Sequence, residues 1–292
     1  MSGLKEVRNR IVSVNSTSQI TSAMKMVSAA KLKRAQDAIV DFRPYANKMK
    51  EILANVSASV EDSSENAFSV VRDVKNILVV SISSNRGLCG GFNSYVNKMV
   101  NKVAAENSQA NLTVLSIGKK STDFVKKMNF KTINNDFDFN LNEIFPTIEF
   151  SVVSGIAKKV MDEFVAGKFD KVVLVYNVFK NPATQVVVAE QFLPFVPEAD
   201  NTSKNQTDYI FEPSQEFIVK ELIPKSLKIQ LYKAILDSHA SEHGARMTAM
   251  HKATDNAKEL LKELRLTYNK ARQASITKEI LEIIGGAEAL NA

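Results

Sequence analysis

Three groups of residues in this 292-residue chain have types and spacings that chemistry uses. His239 and His243 stand four apart, which places two imidazoles on one helical face, the spacing of a metal-ligand pair; His251 follows two turns on. The local order is HASEH, not the H-E-x-x-H of zinc proteases, and Glu242 would project about 100° away from His243. Cys89, the one cysteine, would act as a nucleophile only beside a base, and all three histidines lie near the other end of the chain. Its expected role is a small packed residue, and no internal disulfide is possible. The loop Asn85–Gly91, NRGLCGG, sits where a phosphate-binding turn would sit, between a strand and a helix. It fits neither G-x-G-x-x-G nor the P-loop pattern, and no acid suited to a ribose follows it. No catalytic, cofactor-binding or metal-binding residue is therefore expected, because no acid, base and nucleophile cluster.

The elements that would carry these residues are two long helices around an α/β insertion. Residues 4–58 hold no Gly and one Pro, Pro44, and their apolar residues begin with coiled-coil spacing at Leu4, Val7, Ile11 and Val14. One helix of about 55 residues would run roughly 80 Å. Pro44 should bend or break it. Residues 61–73 read as a linker. Residues 74–84, 111–118, 171–179 and 184–195 are rich in β-branched residues and read as strands, with Asn181-Pro182 turning between the last two. Residues 92–106, 119–128 and 146–167 read as helices, and alternation of strand and helix implies parallel pairing. Residues 200–208 form a polar loop, and 209–213 a short last strand. From Ser214, a candidate N-cap, a second long helix runs to about Ile284, with a kink expected at Pro224 and a stop at Gly285-Gly286. The domains expected are thus 1–60, 61–73, 74–208 and 209–292: an N-terminal coiled-coil helix, a linker, a Rossmann-like α/β domain and a C-terminal coiled-coil helix.

Helices this long cannot bury themselves against the insertion, so they should pair with each other, antiparallel. The C-terminal one is longer and should project. Its end carries Ile276, Ile280, Leu281, Ile283 and Ile284, an apolar surface that needs a sleeve in another chain. Between Leu236 and Leu260 there is no Leu, Ile, Val or Phe, and residues 15–38 are similarly poor in them. Both stretches read as surfaces for transient or shifting contacts.

Charge is uneven as well. The chain carries +6, and residues 1–50 alone, with ten Lys/Arg against Glu6, Asp37 and Asp41, carry +7. An acidic protein, a membrane surface or nucleic acid would complement that segment. A basic coiled-coil adaptor for nucleic acid or membrane is the alternative function, although the segment offers only Phe42 and Tyr45 as aromatics and no groove-reading motif. The N-terminus has no secretory pattern, and no apolar run approaches the roughly 20 residues of a membrane span.

Four blocks then resemble one family in one order. They are ITSAMKMVSAAKLKRAQ (20–36), SSNRGLCGGFN (83–93), SEHGARMTAMHKATDNA (241–257) and LTYNKARQASITKEILEIIGGAEAL (266–290). Together they are similar to the gamma subunits of bacterial F-type ATP synthases. One departure is visible: the family usually has Asp before the Arg of the RGLCGG block, and here it is Asn85.

The resemblance implies a central rotor shaft inside a ring of three alpha and three beta subunits, with the α/β domain against epsilon and the membrane ring of c subunits. The subunit itself is non-catalytic and needs no cofactor or nucleic acid. It would lie peripherally on the cytoplasmic face of the inner membrane. Matched position by position, the family motifs place shaft–ring contacts at Met24, Arg246, Arg272, Gln273 and Thr277. Lys25, Lys31, Lys33 and Arg34 would supply basic bearing contacts, and Arg86, Gly87, Leu88, Cys89, Gly90 and Gly91 a turn on the epsilon and c-ring side.

Overall fold

The computed structural model describes residues 2–58, 67–137, 140–195 and 215–291. The expected strand at 209–213, the loop at 200–208, the N-cap at Ser214 and the linker residues 61–66 lie outside the described residues. In chain order the elements are α1 (Ser2–Ala58), β1 (Asn76–Ile82), α2 (Phe92–Glu106), β2 (Asn111–Ile117), α3 (Lys119–Lys127), β3 (Lys131–Thr132), α4 (Phe150–Val165), β4 (Lys171–Asn181), β5 (Thr184–Leu193) and α5 (Gln215–Asn291). They divide into two compact units, Ala29–Arg246 and Met1–Ser28 with Met247–Ala292.

The larger unit is built on a five-stranded sheet of order β3-β2-β1-β4-β5. β1 pairs in parallel with β2 and β4, β2 in parallel with β3, and β4 pairs antiparallel with β5 through the Asn181-Pro182 turn. β1 reads as a continuous apolar run because both its faces are covered. Leu78, Val80 and Ile82 point to one side, with Leu115, Ile117, Leu174, α4 and the early turns of α5. Ile77 and Val79 point to the other, with Val96, Val100, Val125 and Val173. The α4 helix begins at Phe150 rather than at 146, because Pro146 follows a separate 3₁₀ turn, Leu141–Ile144.

Both prolines sit inside their helices, Pro44 in α1 and Pro224 in α5, and end neither of them. The glycine pair near the C-terminus does not stop α5 either. A stop needs a left-handed residue, and neither Gly285 nor Gly286 takes a positive φ, so the helix continues to Asn291.

In each unit the two long helices run antiparallel. In the smaller, Thr21 meets Thr254, and the earlier residues Asn15 and Ser18 share a groove with the later Leu261 and Leu266. In the larger, the rings of Phe42 and Tyr232 lie 5.0 Å apart while Lys31 reaches the field of Glu242.

The Leu-poor stretch needs a correction. Residues 237–246 are almost wholly covered by their own chain. Ser241 donates to the carbonyl of Asn177, and Ala245 packs with Cys89 and Phe92. A Cβ on Gly244 would lie 3.2 Å from Pro182 Cα and 3.4 Å from Phe179. Small side chains here let α5 press against the sheet, so this part of the stretch is a tight internal seam.

Candidate functional site

Two regions hold the residues singled out above. The first forms around the turn after β1. Ser83, Ser84 and Asn85 cross over the start of α3 and take up its leading amides. Lys119 N–H donates to Asn85 Oδ1 at 3.0 Å, Lys120 N–H to Ser84 O at 3.0 Å and Ser121 N–H to Ser83 Oγ at 2.7 Å. The Asn85 amide also donates to Asn142 O at 2.6 Å. Asn93, on α2, accepts from the Ser84 amide at 3.1 Å and donates to Cys89 Sγ at 3.2 Å. These bonds satisfy the leading amides of α3 and tie the turn to α2.

The tip of the turn is held in an unusual backbone. Leu88 has φ 62° and Gly90 φ 59°. A leucine in the left-handed region is costly and persists only where its surroundings fix it. Here Leu88 is 65% exposed while its neighbour Cys89 is buried. Burial pushes the Cys89 thiol above its ordinary pKa, so it stays a protonated thiol.

The clamp on this turn is Arg246. Sequence matching placed it as an outward contact, but it is only 8% exposed. Its Nη1 pairs with Glu242 Oε1 at 2.6 Å, and its Nη2 donates to Arg86 O at 3.0 Å and Gly87 O at 3.4 Å. Burial raises the Glu242 pKa, against which the Arg246 charge and hydrogen bond pull it down. The guanidinium is thus committed inside the chain, and the planar fork suits two carbonyls and one carboxylate at once.

The histidines stand beside this clamp. The rings of His239 and His243 meet edge to face at 4.5 Å, and Phe145 stacks on His239. Burial first, then the charges of Lys31 and Arg246, lower the His239 pKa to about 4. Burial, His239, Arg246 and Lys31, in that order, lower the His243 pKa to about 3. The intervening Glu242 faces Arg246 rather than the imidazoles, and exposed His251 pairs with Asp255 at 3.1 Å. Among the described residues no group of three or more His, Cys, Asp or Glu gathers as metal ligands would.

The second region is the smaller unit. Arg272, Gln273 and Thr277 are exposed on α5, with Thr277 Oγ1 bonded back to Gln273 O at 3.0 Å. Met24 and Lys25 are half-buried on α1. Ile276, Ile280, Leu281, Ile283 and Ile284 are all exposed, Ile280 at 51% and Ile284 at 50%. In the larger unit Lys31, Lys33 and Arg34 are exposed, and Lys33 is tied to Asp37 at 2.8 Å. No helix among the described residues is long and apolar enough to cross a membrane.

The fold thus comprises a paired-helix unit and an α/β unit, and comparison with known proteins says to which family such a chain belongs. The family model described as ATP synthase matches residues 3–290. The ATP synthase gamma chain of Flavobacterium johnsoniae is 57% identical over 291 residues, covering 100% of each chain. That of Christiangramia forsetii is 55% identical over 292 residues, again covering 100% of both. Among solved structures, the fold is similar to a chain of the Euglena gracilis mitochondrial ATP synthase, OSCP/F1/c-ring, with TM-score 0.69, 21% identity, and coverage of 99% of this chain and 95% of that one. A chain of the Tetrahymena thermophila mitochondrial ATP synthase central stalk/c-ring has TM-score 0.56 at 26% identity, covering 80% of this chain and 99% of that one. The chain belongs to the ATP synthase gamma-chain family.

Sequence reasoning missed the internal role of Arg246 and the part played by Asn93. The signal for Asn93 was present, as a polar residue in the first turn of a helix just after a glycine-rich loop. Nothing in the sequence linked Arg246 to Arg86.

Proposed function

We propose that this chain is the central rotor shaft of an F-type ATP synthase. It couples rotation of a proton-driven membrane ring to ATP synthesis and hydrolysis at a surrounding ring of alpha and beta subunits, three of each. The chain itself is non-catalytic. Its α/β unit seats on the c ring beside epsilon, and it is peripheral to the inner membrane on the cytoplasmic side. Each beta site has several conformations, and contact with one face of the shaft shifts their populations in turn.

One observation carries this reading: five large apolar side chains lie exposed within nine residues at the end of α5. Isolated monomers rarely leave such a patch in water. An apolar sleeve formed by the alpha and beta subunits removes it from solvent. Below it, Arg272, Gln273 and Thr277 offer polar contacts to beta loops, with Met24 on the neighbouring helix. Arg246 acts on the interface through the turn it braces. Lys25, Lys31, Lys33 and Arg34 provide a basic bearing surface, and Arg86–Gly91 present Leu88 on the epsilon and c-ring side.

Reconstitution with alpha and beta subunits tests the reading. Truncation after Leu266 should weaken assembly and lower the ATPase of the complex. Assembly and activity equal to those of the full chain would count against the sleeve.

A further inference from the structure

Thr21 and Thr254 put their hydroxyl oxygens 2.8 Å apart across the two long helices of the smaller unit. Both residues are nearly closed to solvent, at 9% and 5% exposure. Each oxygen also lies within hydrogen-bond reach of a carbonyl on its own helix, Thr21 of Ser18 O at 3.1 Å and Thr254 of Met250 O at 2.8 Å. Two hydroxyls carry two protons, so three bonds cannot form at once. Either Thr21 donates to Thr254, which donates to Met250 O, or Thr254 donates to Thr21, which donates to Ser18 O. In both arrangements each proton is used and the link between the helices is kept.

The other buried residues described in this unit are Ser18, Ser28, Met250, Ala257, Leu261 and Leu264; Ser28 bonds back to Met24 O on its own helix, and the rest are mostly apolar. Apolar contact is non-directional and resists axial sliding weakly. A hydroxyl pair is directional: one helical turn of slip, about 5.4 Å, separates the oxygens entirely. The small side chains at Ser18 and Ala257 allow the helices to approach closely enough for two short hydroxyls to touch. A directional polar contact in a mostly apolar helical seam is a known device for fixing register.

We propose that the Thr21–Thr254 pair is a register pin, a positioning pair that stops the two helices from sliding past each other when torque twists them. This rests on the shaft reading above, because only a loaded shaft needs the pin. Twisting a two-stranded rod shears its seam along the axis, and the pin converts that shear into a strained hydrogen bond instead of a slip.

The test has two arms. In the free full-length chain, T21V, T254V and the double variant form a cycle read by thermal melting. The midpoint shift caused by T21V should be more negative when position 254 is Thr than when it is Val. Equal shifts in the two backgrounds would overturn the pairing. In the complex reconstituted with alpha, beta, epsilon and the membrane sector, T21V/T254V should assemble and hydrolyse ATP as the unsubstituted chain does. Its proton pumping per ATP hydrolysed should be partly lost relative to the unsubstituted chain. T21S/T254S, which keeps both hydroxyls, should restore the ratio. An unchanged ratio in the valine variant, or no rescue by serine, would overturn the pin. Failure of the unsubstituted chain to assemble would instead refute the shaft reading and leave the first arm standing.

Discussion

Arg246 Nη2 donates to the carbonyl oxygen of Arg86 at 3.0 Å, joining α5 to a turn 160 positions earlier. The same side chain holds buried Glu242, so one residue on the long helix fixes the left-handed turn that displays Leu88.

Removing that clamp should be expensive. Arg246→Ala strands a buried carboxylate and frees two carbonyls, at about 3–5 kcal/mol of stability. Pairing it with Glu242→Gln should recover part of the loss. Urea unfolding measures both. Cys89, now closed off, should react with maleimide faster in the Arg246→Ala chain at pH 7.5. Equal labelling rates would mean that the turn does not depend on Arg246.

The buried histidines make stability depend on acid. Their folded pKa values, about 4 for His239 and about 3 for His243, lie below the ordinary 6.5. The unfolded chain therefore binds more protons between those limits. The stability is fully present above pH 6.5 and is lost as pH falls toward 4, at up to about 1.4 kcal/mol per pH unit for each group. His243→Leu should flatten the fall of the urea midpoint between pH 7 and pH 5. A slope as steep as in the unsubstituted chain would exclude His243 as its source.

Asp237 works in the opposite sense. Burial, helped by Glu190 and opposed by Lys233 and Arg43, raises its pKa to about 6. It is 6% exposed. The folded chain binds the proton more tightly, so this contribution is present below pH 3.8 and lost as pH rises through 6. Asp237→Asn should stabilise the protein by about 1–3 kcal/mol at pH 7.5 and by much less at pH 4. Melting at the two pH values decides this.

Asn85 occupies a position where the family usually has Asp, and its surroundings explain the amide. It accepts from Lys119 N–H and donates to Asn142 O at 2.6 Å. A carboxylate could only accept and would face a carbonyl oxygen. Asn85→Asp should cost about 1–3 kcal/mol, partly offset by about 0.3–1 kcal/mol from a negative charge at the start of α3. A melting point equal to or above that of the unsubstituted chain would show that the bond to Asn142 carries no weight.

The sequence by itself determined the first long helix, because the 55 residues 4–58, without glycine and with one proline, leave little else to form. It determined the sheet too: β1 is apolar at nearly every position because both faces are covered, and that pattern needs no structure to read. The exposed isoleucines of α5 were legible for the same reason, as apolar residues with nothing left in the chain to cover them. Tertiary structure decided the rest. Residues 237–246 look like a loose surface in sequence, since small side chains say nothing about what lies against them; the sheet and the turn after β1 make them a tight seam. Arg246 reads as an exposed cation until the fold brings Glu242 and two carbonyls to it. Gly285 and Gly286 read as a stop, but a stop depends on φ, which is set by the surrounding chain and not by residue type. Local propensity and periodicity act over a few residues and are written in order along the chain. Contacts between positions 160 apart are written nowhere until the chain folds.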